Sequence, residues 1–220
     1  MKIPADWTFE SADVAGAFDA HVREQLPWYD LATDAAAHIA RHFISEGGLV
    51  YDVGASTGNI ERALAATLKA RGARFVPIEK SAEMAKKYDG CSAVQVCDAL
   101  EYEFEPYDVA ICFLTIMFMP PSRRLPWLRE LAAKQKPGGA LIVFDKITFC
   151  DGYMATIAHR LTLRGKACGG ASPDDIMQKE ISLCGAQRPL DAKLLEMTLP
   201  TAQRVFQYGE FAGWVIQRPE

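Results

Sequence analysis

Three acidic residues, Asp52, Glu79 and Asp98, each close a short apolar run that reads as a β-strand. A loop of small residues, Gly54-Ala55-Ser56-Thr57-Gly58, follows the first of them, and a helical pattern follows the loop. Strand, glycine loop and helix in that order put a ligand at the carboxyl end of a parallel sheet. Small residues let the ligand approach the main chain, and the free N–H groups opening the helix face it. The loop departs from the dinucleotide pattern G-x-G-x-x-G, with Ser56 at the second glycine and Asn59 at the third. A pyrophosphate needs that close helix approach; a methionine tail does not. Asp52 can accept from a ligand ammonium group, directly or through water. Glu79 can take both ribose hydroxyls, which excludes a 2′-phosphate but does not separate S-adenosylmethionine from NAD. Asp98 can accept from the adenine amino group, which the NAD pattern does not require. The set therefore predicts S-adenosylmethionine.

The elements that must position these residues alternate. Strands are expected at 49–53, 74–78, 93–97, 107–115 and 140–144, with helices at 59–71, from Ser81, and at 122–136. The strand at 107–115 is apolar throughout, as a central strand covered on both faces should be. Such a series implies an α/β fold with a doubly wound, mostly parallel, seven-stranded Rossmann-like sheet and helices on both faces. Ahead of it, residues 1–46 form a helical lead, with helices at 11–24 and 29–44 separated by Pro27. Leu31, Ala35, Ile39 and Phe43 are expected on one stripe of the second helix. Residues 150–190 read as a helical insertion on the substrate side, with a hinge at Gly169-Gly170. Two final strands, near 194–199 and 211–216, make a closing hairpin. The whole chain is expected to be one domain.

Bulk properties narrow the classes. The chain has 220 residues, half of them hydrophobic, and a net charge of −4. General nucleic-acid binding would call for a basic surplus instead. No apolar run reaches the ~20 residues of a membrane span, and the N-terminus lacks the apolar core of a signal peptide. Six cysteines without a Cys-x-x-Cys pair read as buried free thiols of a reducing compartment, so a cytoplasmic protein is expected.

From Leu49 to Lys146 the motifs resemble class I S-adenosylmethionine-dependent methyltransferases. A closer resemblance, over nearly the whole chain, is to the carboxy-S-adenosylmethionine synthase family. It rests on Asp6-Trp7-Thr8-Phe9, Leu26-Pro27-Trp28-Tyr29, Tyr51-Asp52-Val53-Gly54-Ala55-Ser56, Leu114 to Pro121, Lys136 to Leu141 and Phe206 to Phe211. The resemblance implies that Tyr29 touches the cofactor and that a homodimer forms, with the late helix reaching the sulfonium from a neighbouring subunit. It departs at Phe113, where the family has Asn, and at Gln178-Lys179-Glu180, where the family has Gln-Lys-Arg and the Arg binds the product's extra carboxylate. Glu180 at that spot would repel a carboxylate. The expected cofactor-binding residues are thus Tyr29, Asp52, Gly54, Ala55, Ser56, Gly58, Glu79, Lys80, Asp98, Ala99 and Phe113. The cofactor is S-adenosylmethionine or its carboxylated derivative, and no catalytic residue is assigned. Methyl transfer to a small-molecule or macromolecular acceptor is the leading expectation. The alternatives are formation of carboxy-S-adenosylmethionine from prephenate, a step in tRNA wobble-uridine modification, and a non-catalytic cofactor-binding subunit.

Other patterns weigh less. His38 and His42 share a helix face but have no evident third ligand, so no metal is expected. Met119-Pro120-Pro121 lacks the members of an amino-methylating Asp/Asn-Pro-Pro-Tyr motif, and Cys112 and Cys150 lack a Pro-Cys context. Arg123, Arg124 and Trp127 read as a solvated helix start, and Lys146 and His159 as surface groups.

Overall fold

The computed structural model describes residues 3–148 and 151–219. Two helices lead, α1 (Ala12–Gln25) and α2 (Tyr29–Ala40). The alternating core follows as β1 (Leu49–Val53), α3 (Asn59–Arg71), β2 (Arg74–Glu79), α4 (Ala82–Ala85), β3 (Gln95–Val96), β4 (Tyr107–Phe113), α5 (Pro121–Ala133) and β5 (Gln135–Thr148). The chain ends with α6 (Gly152–Cys168), α7 (Pro173–Ser182), the two-residue β6 (Leu190–Asp191), α8 (Ala192–Thr198), β7 (Ala202–Tyr208) and β8 (Phe211–Gln217). The strands run in the order β3-β2-β1-β4-β5-β8-β7, and β6 pairs with the end of β5. β1 to β5 are parallel, and β8 joins antiparallel to β5 and β7. The seven-stranded, doubly wound sheet is the expected one.

Alternation along the strands divides the core into two layers. Leu49, Tyr51 and Val53 of β1 face Trp127, Leu128 and Leu131 of α5 and Leu195 of α8. Val50 of β1, with Val109 and Ile111 of β4, faces Ala32, Ala36 and Ala40 of α2 and Ile60 and Leu64 of α3. Every residue of β4 is buried, as its composition predicts. The stripe of α2 is rotated from expectation: Leu31 is 66% exposed, and alanines form the inner face. Small side chains there let α2 lie close on the sheet.

One segment differs in kind and two strands differ in extent. The segment 194–199, expected as a strand, lies in α8 instead. Asp191 caps that helix, its side chain accepting from the Leu194 N–H at 3.0 Å. The strand of the hairpin is β7, a sheet-edge segment whose residues are all at least partly exposed and which alternation therefore marks weakly. β3 keeps only two of its five expected residues, and β5 runs well beyond 140–144 at both ends. The thiols also differ: Cys112 is buried, but Cys91, Cys168 and Cys184 are exposed. Cys150 lies outside the described residues.

Candidate cofactor and substrate site

The carboxyl ends of β1, β2 and β4 meet at one cavity of about 730 Å³. The loop leaving β1 is tied to β2, for the Gly54 and Ala55 N–H groups both donate to the Ile78 carbonyl, at 2.8 and 3.0 Å. Gly54 has φ 75°, and a Cβ on it would collide with the Thr115 side chain, whose hydroxyl donates to the Val53 carbonyl at 2.8 Å. Ser56 (φ 52°) and Leu114 (φ 57°) are the non-glycine residues of left-handed backbone among the described residues, and both line the cavity. Such conformations cluster at ligand sites, where the surroundings hold them in place.

Glu79 ends β2, 8% exposed. Its two oxygens accept the N–H groups of Ser56 and Ser81, each at 2.8 Å. That fixes the carboxylate and leaves a second lone pair on each oxygen. Burial nevertheless raises its pKa, the hydrogen bonds from Ser81 and Ser56 opposing the shift. Asp98 accepts from Lys80 Nζ at 2.8 Å and from the Leu100 N–H at 3.0 Å. Burial pushes its carboxyl up, but those bonds outweigh it and hold the pKa below the ordinary value.

Of the eleven expected residues, the structure brings Tyr29, Gly54, Ser56, Glu79, Lys80, Asp98, Ala99 and Phe113 to the cavity wall. Tyr29 and Phe113 meet edge to face, ring centres 5.5 Å apart. Asp52, Ala55 and Gly58 lie behind the wall instead. Asp52 is 1% exposed and one carboxyl oxygen has no partner; burial, then the charges of Glu79 and Glu61, push its pKa up to about 8. Gly58, at φ 89°, precedes α3, where a Cβ would lie 3.1 Å from the Tyr88 ring.

The rest of the lining was not named residue by residue from the sequence, although residues 150–190 were expected on the substrate side. It comes from Trp7, from His21 and Gln25 on α1, from Lys166 on α6 and from Lys179 on α7. His21 and Gln25 stand four apart on one helix face, the single signal that could have found them. The late helix thus offers the cavity Lys179 and not Glu180. Glu180 accepts from Lys166 Nζ at 2.5 Å and lines a separate groove with His159 and Met177. The repulsion expected from Glu180 is therefore absent from this cavity. Arg124 is a second correction. It is buried, not solvated, and donates to the carbonyls of Met117, Met119 and Arg188, each at 2.9 Å. Trp127 is buried too, its Nε1 donating to the Ala99 carbonyl at 3.1 Å. Lys146 reaches the cavity wall and donates to Gln187 at 3.0 Å, while His159 stays outside, 3.3 Å from Glu210.

Residues 51–143 match the family model described as "Methyltransferase domain". The chain is 29% identical over 223 residues to a carboxy-S-adenosyl-L-methionine synthase of Wolinella succinogenes, a match covering 94% of this chain and 92% of that protein. It is 28% identical over 197 residues to the synthase of Pseudomonas putida, covering 84% of this chain and 79% of that one. Among solved structures, the magnesium protoporphyrin IX methyltransferase of Synechocystis with bound SAH superposes with a TM-score of 0.59 at 15% identity, covering 90% of this chain and 87% of that one.

Proposed function

We propose, starting from a chain that has the class I methyltransferase fold and a methyltransferase domain, that it is an S-adenosylmethionine-dependent methyltransferase acting on a small acceptor. The observation that carries this reading is the convergence of Glu79, Asp98, Gly54 and Ser56 on one cavity at the strand ends. The residues present fit the cofactor. The free lone pairs of Glu79 suit a ribose diol, Asp98 suits an adenine amino group, and the unpartnered oxygen of Asp52 suits an ammonium reached through water. Tyr29 and Phe113 supply an apolar wall. When bound, S-adenosylmethionine supplies an activated methyl group on a sulfonium sulfur. The chain's part is to hold an acceptor in line with it and to exclude water, which can lower a barrier by several kcal/mol without a dedicated base.

A second reading, formation of carboxy-S-adenosylmethionine, is favoured by the likeness to the two synthases and by Lys179, rather than Glu180, lining the cavity. Mass spectrometry of the ligand carried through purification separates the two. S-adenosylmethionine or its demethylated product supports methyl transfer, a carboxylated cofactor supports the second reading, and an NAD-type ligand sinks both. We further place the protein in the cytoplasm, in keeping with five unpaired cysteines among the described residues. We also infer a homodimer, supported by the apolar residues that α6 and α7 expose, among them Tyr153, Met154, Met177 and Ile181.

A further inference from the structure

Beyond Gly54, Glu79 and Asp98, much of the cavity lining is aromatic. Phe9 packs against Trp7, Phe18 and Phe118, with ring centres 5.8, 6.2 and 5.0 Å apart, and all four side chains reach the cavity. A basic side chain without a counter-charge stands among these rings. Lys179 of α7 is buried, and its Nζ lies against one face of the Trp7 ring. The neighbouring carboxylate, Glu180, is taken by Lys166 at 2.5 Å, so among the described residues no acid pairs with Lys179. His21 stacks on Trp7 with ring centres 5.7 Å apart. Trp7 Nε1, His21 Nε2 and both amide atoms of Gln25 are buried, and none has a hydrogen-bond partner among the described residues. A buried polar group left unpaired carries a desolvation penalty, and a folded chain keeps such a group where something completes it.

We propose that the methyl acceptor is a phenol whose ring lies against these aromatic side chains, and that Lys179 is the catalytic base that takes its hydroxyl proton. This role rests on the methyl-transfer reading above, with the cofactor held against Gly54, Glu79 and Asp98. A phenol titrates near pH 10, as a tyrosine does, so at neutral pH its oxygen still carries the proton and is a weak nucleophile. In the step the O–H bond breaks and its electron pair attacks the methyl carbon. An O–CH3 bond forms, the S–CH3 bond breaks with its pair left on sulfur, and the proton passes to Lys179 Nζ. The positive charge that begins on the sulfonium thus ends on the ammonium. Aromatic rings take another ring by face or edge, and Trp7, His21 and Gln25 together offer donors and acceptors for its neutral polar substituents.

A base must be free of its own proton when the acceptor arrives. Burial and then the charge of Lys166 lower the Lys179 pKa to about 6, so the amine is mostly neutral near pH 7.5. The other charged or titratable groups facing it are Lys166 from α6, Glu180 and Asp175 from α7, and His21 of α1, itself lowered to about 4 by burial and then by Lys179. A general base works best when its pKa lies near the operating pH, which an ordinary solvated lysine does not meet.

The probe is para-nitrophenol, whose phenolate absorbs visible light and whose protonated form does not. It is titrated into the full chain at about pH 6.5, just above the pKa of Lys179, with and without saturating S-adenosylhomocysteine. It should bind about tenfold more tightly than para-nitroanisole, which has no proton to give. Its phenolate band should grow on binding, with no proton released to the buffer because Lys179 keeps it. Lys179→Met should lose both the preference and the band. Lys179→Arg should keep the band but release the proton to the buffer, since a guanidinium cannot take another. Heats measured in buffers of different ionisation enthalpy read that difference, which a merely structural lysine would not produce. Given S-adenosylmethionine, at least one of phenol, catechol and para-nitrophenol should become its methyl ether. The rate should rise as pH climbs through about 6 and fall roughly 100-fold in either variant. Thermal unfolding and S-adenosylhomocysteine affinity, unchanged in both variants, show that they fold. The proposal is overturned by failure of para-nitrophenol to bind at millimolar concentration, by binding without the band, by proton release from the wild-type chain, or by a band surviving Lys179→Met. S-adenosylhomocysteine binding with no methyl ether from any of the three phenols also overturns it. No S-adenosylhomocysteine binding by the wild-type chain, with the band intact, would instead strike the cofactor reading and leave Lys179 standing as a base.

Discussion

Asp52 and Glu79 were legible as acids at strand ends, but burial gives the two different tasks. Glu79 faces the cavity with its oxygens already aimed by two N–H groups. Charge-assisted bonds to a ribose diol are worth about 1.5–3 kcal/mol, so Glu79→Ala should weaken S-adenosylhomocysteine binding at least tenfold by calorimetry. Unchanged affinity in a folded variant would remove the ribose from this position. Asp52 reports through pH. Its pKa rises from 3.8 to about 8 on folding, so between those values the folded chain keeps a proton that the unfolded chain has lost. Stability from this group is full below pH 4 or so and drains away as pH climbs toward 8. Glu79, and Asp145 raised to about 7 by burial, act in the same sense. Asp52→Asn should therefore raise the melting temperature of the cofactor-free protein near pH 8 and flatten its decline between roughly pH 5 and 8. Differential scanning fluorimetry showing the wild-type slope in the variant would contradict the buried, unpartnered carboxylate.

At the scale of elements, the loop after β1 depends on Gly54. A left-handed φ with a Cβ driven into Thr115 costs any other residue about 1–3 kcal/mol, so Gly54→Ala should lower the urea midpoint and displace Thr115 from the Val53 carbonyl. Wild-type stability would show that the loop relaxes freely. Sequence spacing found α3 to the residue because glycines in left-handed conformation, Gly58 and Gly72, bracket it. It misread Leu194 to Leu199 because a short apolar run fits strand and helix equally. The burial of Leu195 between exposed Leu194 and Met197, together with the Asp191 cap, decides for the helix. Arg124 was misread for a related reason. An arginine near a helix start is usually solvated, but here two carbonyls from the turn just before α5 and one from the distant Arg188 surround it.

The whole molecule leaves an apolar face on α6 and α7. Ile181 and Met177 are each 61% exposed. If that face joins two copies, sedimentation should give twice the 24.3 kDa of one chain, and Met177→Glu with Ile181→Glu should return it to the single-chain mass. A wild-type monomer at micromolar concentration would dismiss the dimer. The side of the cavity that carries Gly54, Glu79 and Asp98 was legible because these residues cluster within one alternating stretch, whereas the rest of the lining draws on segments near both ends of the described residues and has no local pattern. That separation has a consequence for biosynthesis. The Trp7 N–H donates to the Ser182 carbonyl at 3.0 Å, and the Ser81 hydroxyl holds the Phe9 carbonyl at 2.7 Å. Residues 7–9 leave the ribosome well ahead of α7, yet they find their seat on it only once the chain has been translated through Ser182. Until then Trp7 has only neighbours close in sequence, Phe9 and His21, beside it, and a nascent chain halted before α7 would own the acidic side of the cavity without the side that α7 completes.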